Sequence, residues 1–452
     1  MPISLSQLRA DAQAIFQAGL DAVDARNAVS RHLSLDSSGE VLSIDASIRL
    51  PLSRFDRIFV IGAGKAAAPM AVAVEEIVGL RHPPQGLVNV KYGHTSPKPR
   101  FIALHECAHP IPDRAGVAGV RAMERILEQL TERDLLFVLV SGGASALLPA
   151  LAAGIELEEK QRTTELLLRA GATIDELNSV RKHLSSLKGG QLALRAGLAT
   201  VVALILSDVI GDRLDVIGSG LTVPDSSKFS DALHVLKKYD LLDSAPQVVK
   251  ARLLRGSRGE LPETPKPGGP ISSAVHTIVV GCNRLALDSA YQAARAIGYQ
   301  ALILTSSLQG EAREVGRVHA EILREVVSSG NPIRSPACIL SGGETTVTVR
   351  GSGRGGRNQE FALSAAIAMA GLHNAVLLAA GTDGTDGPTD AAGATVDGTT
   401  VARADAMGLS PIDHLDRNDS YPILKTLGEL LQTGPTGTNV MDLNVMLTDR
   451  LS

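Results

Sequence analysis

RIFVIGAGKAA, residues 57–67, runs from an apolar stretch into two glycines and out into an alanine-rich segment. Residues 58–61 show no polar alternation, which is how a strand buried on both faces of a parallel sheet reads. Gly62 and Gly64 allow a tight turn, and the alanines after Lys65 favour helix. The same rhythm returns twice. Residues 135–140 lead into Ser141-Gly142-Gly143-Ala144-Ser145, and residues 201–206 lead into Ser207-Asp208 and on to Asp212. The expected fold class is α/β, with a Rossmann-like parallel-sheet N-terminal domain.

Outward from these strands the pattern changes at residues 255–270, RGSRGELPETPKPGGP, where prolines and glycines occur without apolar periodicity. That is linker chemistry. It divides the 452 residues into a domain at 1–254 and an α/β domain at 271–452. Strands are expected in the second domain at 277–280, 301–305, 337–340, 376–380 and 444–447. Residues 345–349 alternate threonine with valine and follow 337–340 too closely for a helical crossover. An antiparallel pair is expected there, making the second sheet mixed.

Composition excludes several partners. A formal charge of −4 gives no electrostatic footprint for nucleic acid, and 3% aromatics without tryptophan give no base-stacking platform. Cys107, Cys282 and Cys338 are far apart and odd in number, which fits a reducing compartment. The longest apolar runs are strand-length, too short to span a bilayer. A soluble cytoplasmic protein with neither membrane nor nucleic-acid partners is expected.

Gly62-x-Gly64-x-x-Ala67 stands where a dinucleotide fingerprint would, but the expected second strand ends in Lys91-Tyr92-Gly93-His94 and lacks an acid for a ribose. Lys65 instead brings a cation to a place where amides and the helix dipole favour an anion. A tight turn with a solvated lysine is the competing reading. Ser141-Gly142-Gly143 and Ser341-Gly342-Gly343-Glu344 both follow buried strands. Their glycines would let amides close on an anion from two sides of a shared cleft, although the same tripeptide also makes ordinary turns.

A helix over 174–187 would set Asn178, Arg181, Ser185 and Lys188 on one face beside Leu177, Val180, Leu184 and Leu187. This face is either a cationic wall or a solvated side. Gly355-Gly356 open a further helix, where Arg357 offers a fork matched to phosphate next to Asn358. Carboxylates gather at strand ends as Asp208, Asp212, Asp225, Glu344, Asp383 and Asp386. Asp208, Asp212 and Asp386 are the candidate Mg²⁺ ligands, since this ion takes one or two carboxylates plus substrate phosphate; Asp-Gly loops also form plain turns. No HExxH, zinc spacing or GxSxG elbow is present, and no histidine is visibly placed to activate Ser141 or Ser145.

Taken together, IGAGKAA (61–67), HPIPD (109–113), LVSGGASAL (139–147), LNSVRKHLSSLKGGQLA (177–193), LSDVIGDRLDVIGSGLTVPD (206–225), LSGGETTV (340–347), GRGGRNQE (353–360) and AAGTDGTDGPTDAAGA (379–394) resemble the glycerate 2-kinases, whose C-terminal half is the MOFRL domain. The resemblance implies ATP- and Mg²⁺-dependent phosphorylation of D-glycerate at its 2-hydroxyl, in a cleft between a Rossmann-like and a mixed α/β domain. It lays catalytic weight on Lys65 and Arg357. In that chemistry Asp208 or Asp212 would take the hydroxyl proton and Arg181 or Lys188 would meet the glycerate carboxylate. Gly62, Gly64, Ser141, Gly142, Gly143, Ala144, Ser145, Asn178, Ser341, Gly342, Gly343, Glu344, Asn358, Asp383 and Asp386 complete the expected substrate and ATP contacts. A homodimer is left open. Relatives also carry the name hydroxypyruvate reductase, so an NAD(P)H-dependent reductase is the alternative.

Overall fold

The computed structural model describes residues 3–45, 47–79, 82–271 and 274–449. The chain divides into a larger unit, Ala25–Val280, and a smaller one in which Met1–Asp24 joins Gly281–Ser452. In the larger unit, β1 (Leu33–Leu35), β2 (Val41–Ile44) and β3 (Ile48–Pro51) form a small antiparallel sheet. The main sheet holds β4 (Arg57–Ala63), β5 (Gln85–Lys91), β6 (Ala103–Cys107), β7 (Asp134–Val140), β8 (Thr200–Leu206) and β9 (Val275–Gly281). Their order is β6-β5-β4-β7-β8-β9, and the pairs from β6 through β8 are all parallel. The order reverses between β4 and β7, so both glycine turns sit at the switch point, where open α/β sheets gather ligands.

Burial follows the absence of alternation. Every residue of β7 and β8 is buried, and Phe59, Ile61, Leu136 and Val138 pack against Val120, Met123 and Leu127 of the helix Arg114–Leu127. A second core joins Leu177, Val180 and Leu184 to Phe229, Leu236, Val249 and Leu253.

The expected linker at 255–270 is not one. Its first three residues end the helix Gln247–Ser257, and the rest is strapped to the larger unit. Thr264 donates to Asp225 at 2.8 Å, the Asp225 N–H bonds Pro265 O at 2.8 Å, and Glu263 meets His183 at 3.1 Å. Residues 262–266 form neither helix nor strand, and side-chain anchors from elsewhere in the sequence hold them down.

In the smaller unit, β10 (Gln300–Leu308), β11 (Ala337–Gly343), β12 (Ala375–Gly381), β13 (Gly393–Asp397), β14 (Leu430–Leu431) and β15 (Asp442–Thr448) take the order β10-β11-β15-β12-β13-β14. Only β10–β11 is parallel. The sheet is mixed as expected, but not for the expected reason. Residues 345–349 form no strand beside β11. They run along 308–311, through Glu344 N–H to Leu308 O at 2.8 Å and Thr346 N–H to Gly310 O at 2.9 Å. The apolar β15 takes that edge of β11 instead, in a position buried on both faces that the alternating threonines of 345–349 do not suit.

The expected boundary at 1–254 also shifts. The helix Leu5–Ala22, capped by Ser4, buries Leu8, Ala12, Ile15, Phe16 and Gly19 against the smaller unit. A Cβ at Gly19 would stand 3.0 Å from Ala286 O, so this glycine permits a close helix crossing. Tyr299 donates to Asp11 at 2.7 Å, and Arg9 pairs with Asp397 and Glu429. Amphipathic spacing announces the helix but not which sheet receives it. Among the described residues, no helix is long and apolar enough to cross a membrane.

Candidate functional site

At the switch point, Gly62 and Gly64 hold positive φ of 154° and 149°. A Cβ at Gly62 would lie 2.0 Å from Leu139 O, and one at Gly64 would lie 1.9 Å from Ser141 Oγ. The glycines therefore bring the β4 and β7 ends together. They do not open an amide nest. Gly64 N–H bonds Asn89 O at 3.2 Å, Lys65 N–H bonds Gly142 O at 2.9 Å, and Ala66 N–H bonds Ser141 Oγ at 3.0 Å. What this turn presents is Lys65 itself, half-buried before the helix Ala67–Val78, with His94 Nδ1 3.3 Å from its carbonyl. β5 ends at Lys91, with no acid where a ribose would need one.

The second turn differs. Gly143 is left-handed at φ 84°, and the His109 ring occupies the space a Cβ would need. Among the described residues the N–H groups of Gly142 and Gly143 bond no protein acceptor, so this turn keeps the amides the first one uses. Beside it Ser145 is half-buried and contacts Ser219 Oγ at 3.1 Å. Lys188, 0% exposed, donates to Ser145 O at 3.0 Å, Ser145 Oγ at 3.1 Å and Gly218 O at 3.4 Å. Burial, with Lys160 and Arg181 adding to it, pushes its pKa well below that of an ordinary lysine. Lys160 donates to Ala150 O at 2.8 Å; burial first and then Arg181 lower its pKa to about 7. Arg181 makes no hydrogen bond or ion pair among the described residues, and burial lowers its pKa too. Three cations thus share a field without a carboxylate, an arrangement that is costly unless an anion arrives. Lys182, by contrast, is paired with the buried Asp225 at 3.0 Å.

The expected helix over 174–187 ends at His183, so Ser185 and Lys188 do not share its face with Asn178 and Arg181. Lys188 lies beyond the helix and still reaches the Ser145 turn; after it Gly189 and Gly190, at positive φ, bond Ser219 O and Gly220 O. Asn178 is buried, accepting from Ser219 Oγ at 3.0 Å while its Nδ2 lacks an acceptor. Asp208 and Asp212 flank the short turn after β8; Asp212 is half-buried at φ 51°. Asp225 is taken out of contention by its bonds to Lys182, Ser227 and Thr264; against burial, Lys182 and Ser227 hold its pKa down.

In the smaller unit the expected Ser341 nest is absent. Ser341, Gly342 and Gly343 are the last residues of β11, and Ser341 Oγ is buried between His319 Nε2 at 2.9 Å and Asn444 Nδ2 at 3.3 Å. A Cβ at Gly342 would strike Asn283 at 2.1 Å, so packing explains that glycine. Arg357 opens the helix Arg357–Ala368, but its fork is already engaged. It donates to both oxygens of Asp442, at 2.6 and 2.9 Å, and to Glu344 at 2.7 Å. Burial alone would lower its pKa; Asp442 outweighs this and raises it, so the group stays cationic. Asn358 joins the cluster, donating to Asp442 at 3.0 Å. Asp386 caps this helix, accepting from the N–H groups of Asn358 at 3.2 Å and Gln359 at 2.9 Å. Its burial, with Asp442 adding to it, raises its pKa to about 6. Asp383 accepts from Thr385 in a local turn.

The proposed metal set does not fit a resident ion. Both Asp386 oxygens are bound as a helix cap, and among the described residues no group of three or more His, Cys, Asp or Glu side chains could hold a metal. Asp442, Lys160, Ser219 and His109 were not anticipated as site residues. Asp442 stands at the head of an apolar strand whose start the sequence reading set two residues late, and a charge there was the available signal. Lys160 sits within Glu-Glu-Lys-Gln-Arg, which looks solvated; only the packed helix Leu157–Arg169 buries it.

Residues 11–254 match the family model described as Domain of unknown function (DUF4147), and residues 337–442 match the MOFRL family. A protein of Thermotoga maritima named D-glycerate 2-kinase is 47% identical over 88% of this chain and 92% of its own. A solved structure titled as glycerate kinase from the same organism superposes with a TM-score of 0.86 at 43% identity, over 98% of this chain and 100% of that one. A protein of Agrobacterium vitis named putative hydroxypyruvate reductase is 41% identical over 88% and 89% of the two chains. With a family model across more than half its length and relatives of this similarity over most of theirs, the chain belongs to the glycerate 2-kinase family of phosphotransferases.

Proposed function

We propose that the protein transfers the γ-phosphoryl group of ATP, bound as its Mg²⁺ complex, to the 2-hydroxyl of D-glycerate, giving 2-phosphoglycerate and ADP. The observation that carries this reading is the set of buried Lys160 and Lys188 with half-buried Arg181, cations without a carboxylate partner among the described residues, of which Lys188 bonds Ser145 next to the Gly142 and Gly143 amides. Such a set favours an anionic hydroxy acid and its phosphorylated product. Arg181 meets the carboxylate of glycerate. Lys65 stabilises charge on the transferring phosphoryl oxygens, and Arg357, held by Asp442 and Glu344, does so for the nucleotide phosphates. Asp212, with Asp208 as its neighbour, accepts the hydroxyl proton. The Mg²⁺ ion belongs to the nucleotide substrate, so excess EDTA abolishes turnover. The buried Cys107, Cys282 and Cys338, none of them in a disulfide among the described residues, support a reducing, cytoplasmic setting.

Two assays run side by side test the reading. ADP release with D-glycerate is expected, and NADH oxidation with hydroxypyruvate is not. The reverse result transfers the chain to the reductase chemistry, against the missing acid at Lys91.

A further inference from the structure

A fully buried lysine with no carboxylate partner is rarely tolerated without a use. As an ammonium, Lys188 has three protons for its three acceptors: Ser145 O, Ser145 Oγ and Gly218 O. Nothing is left for a ligand. It therefore cannot be the group that meets the substrate, as the sequence suggested. Beyond it a chain of polar contacts continues from Ser145 Oγ to Ser219 Oγ at 3.1 Å and from Ser219 Oγ to Asn178 at 3.0 Å.

The direction of that chain follows from proton bookkeeping. If Asn178 Oδ1 accepts from Ser219, the single Ser219 proton is used, Ser145 must donate to Ser219, and the buried Asn178 Nδ2 has no acceptor. Orphaned buried donors are rarer than orphaned acceptors. Turning the amide over lets Asn178 Nδ2 donate to Ser219 and Ser219 donate to Ser145. Ser145 Oγ then accepts from both Lys188 and Ser219, and its own proton is free on the half-buried side.

We propose that Ser145 donates its hydroxyl proton in a hydrogen bond to an oxyanion of the substrate, and that Lys188, Ser219 and Asn178 are positioning residues acting through it. The oxyanion is a carboxylate or a phosphate, and this assignment rests on the kinase reading only for the choice of hydroxy acid. In the ammonium form that the three acceptors fit, Lys188 offers no lone pair, and Ser145 acts as a binding group.

Calorimetric titration of D-glycerate and, separately, of inorganic phosphate into wild type, Ser145→Ala, Lys188→Met and the double variant tests this. Each single variant should weaken the bound anion by about 10-fold, and the double variant should be no weaker than the worse single one. Lys188→Met should melt no lower than wild type, which separates lost positioning from lost folding, and Lys188→Gln should recover part of the affinity. Glycerate responding alone identifies the carboxylate; phosphate responding alone identifies the phosphate. Additive losses, normal affinity in Lys188→Met, or a wild type that binds neither anion would overturn the assignment. A wild type inactive as a kinase whose anion affinity still follows this pattern would refute the kinase reading and leave the assignment standing.

Discussion

Two clusters, one in each unit, handle positive charge in opposite ways. In the larger one, Lys160, Arg181 and Lys188 lie within reach of one another's fields, and their hydrogen bonds go to carbonyls and hydroxyls or to nothing. In the smaller one, a single arginine, Arg357, is surrounded by Asp442, Glu344 and Asp386. The first arrangement carries surplus positive charge and is satisfied only by an incoming anion. The second is internally balanced, so its arginine is oriented before anything binds. A cation set without carboxylates supplies affinity, and a pinned cation supplies geometry.

The largest effect should come from Lys65, the cation that the first glycine turn presents. Lys65→Ala is expected to lower kcat by about 10³-fold or more with a smaller change in KM for glycerate. A mutant with near-normal kcat and raised KM would move Lys65 to the affinity side of the contrast. Asp212→Asn is expected to lower kcat by about 10²-fold with an unchanged melting temperature, because no partner of its carboxylate is lost among the described residues. Unaltered turnover would remove it as the proton acceptor.

Asp442→Asn attacks the pinned side. It breaks the two-point contact with Arg357 and should cost about 1–3 kcal/mol of stability, the lower end being favoured because Arg357 is a third exposed. Turnover should fall as well. If stability drops while kcat holds, Arg357 is structural and the contrast dissolves.

The most specific effect concerns Lys160. Its folded pKa of about 7 lies below the ordinary 10.5, so between those values the unfolded chain holds a proton that the folded chain does not. Stability conferred against this penalty therefore rises with pH from about 7 to 10.5 and is lowest below pH 7. At about 1.4 kcal/mol per unit, the span amounts to a few kcal/mol. Lys160→Met should flatten that rise, gaining most on wild type at pH 6 and least near pH 10. Urea melts at pH 6, 8 and 10 check it; parallel curves for the two proteins would show that Lys160 is not buried as a cation.

The parallel sheet was legible because strands buried on both faces leave no polar alternation, and 57–61, 135–140 and 201–206 show that directly. That Lys65 and Arg357 follow glycines at helix starts was legible locally, but not that the turn before Lys65 spends its amides on Asn89, Gly142 and Ser141. Equal tripeptides were not equal in use. Ser141-Gly142-Gly143 is a turn that keeps two amides free, while Ser341-Gly342-Gly343 is strand packed against β10 and Asn283. Local sequence allows both, and the neighbouring strand decides between them. The same holds for the cation set. Sequence placed Arg181 and Lys188 near each other, but only packing buried Lys160 beside them and withheld every carboxylate. It also set Asp442, from a strand 85 residues away, onto Arg357. Periodicity reports which residues are buried; the identity of the partner a buried charge finds depends on contacts remote in sequence, and those exist only once the chain has folded.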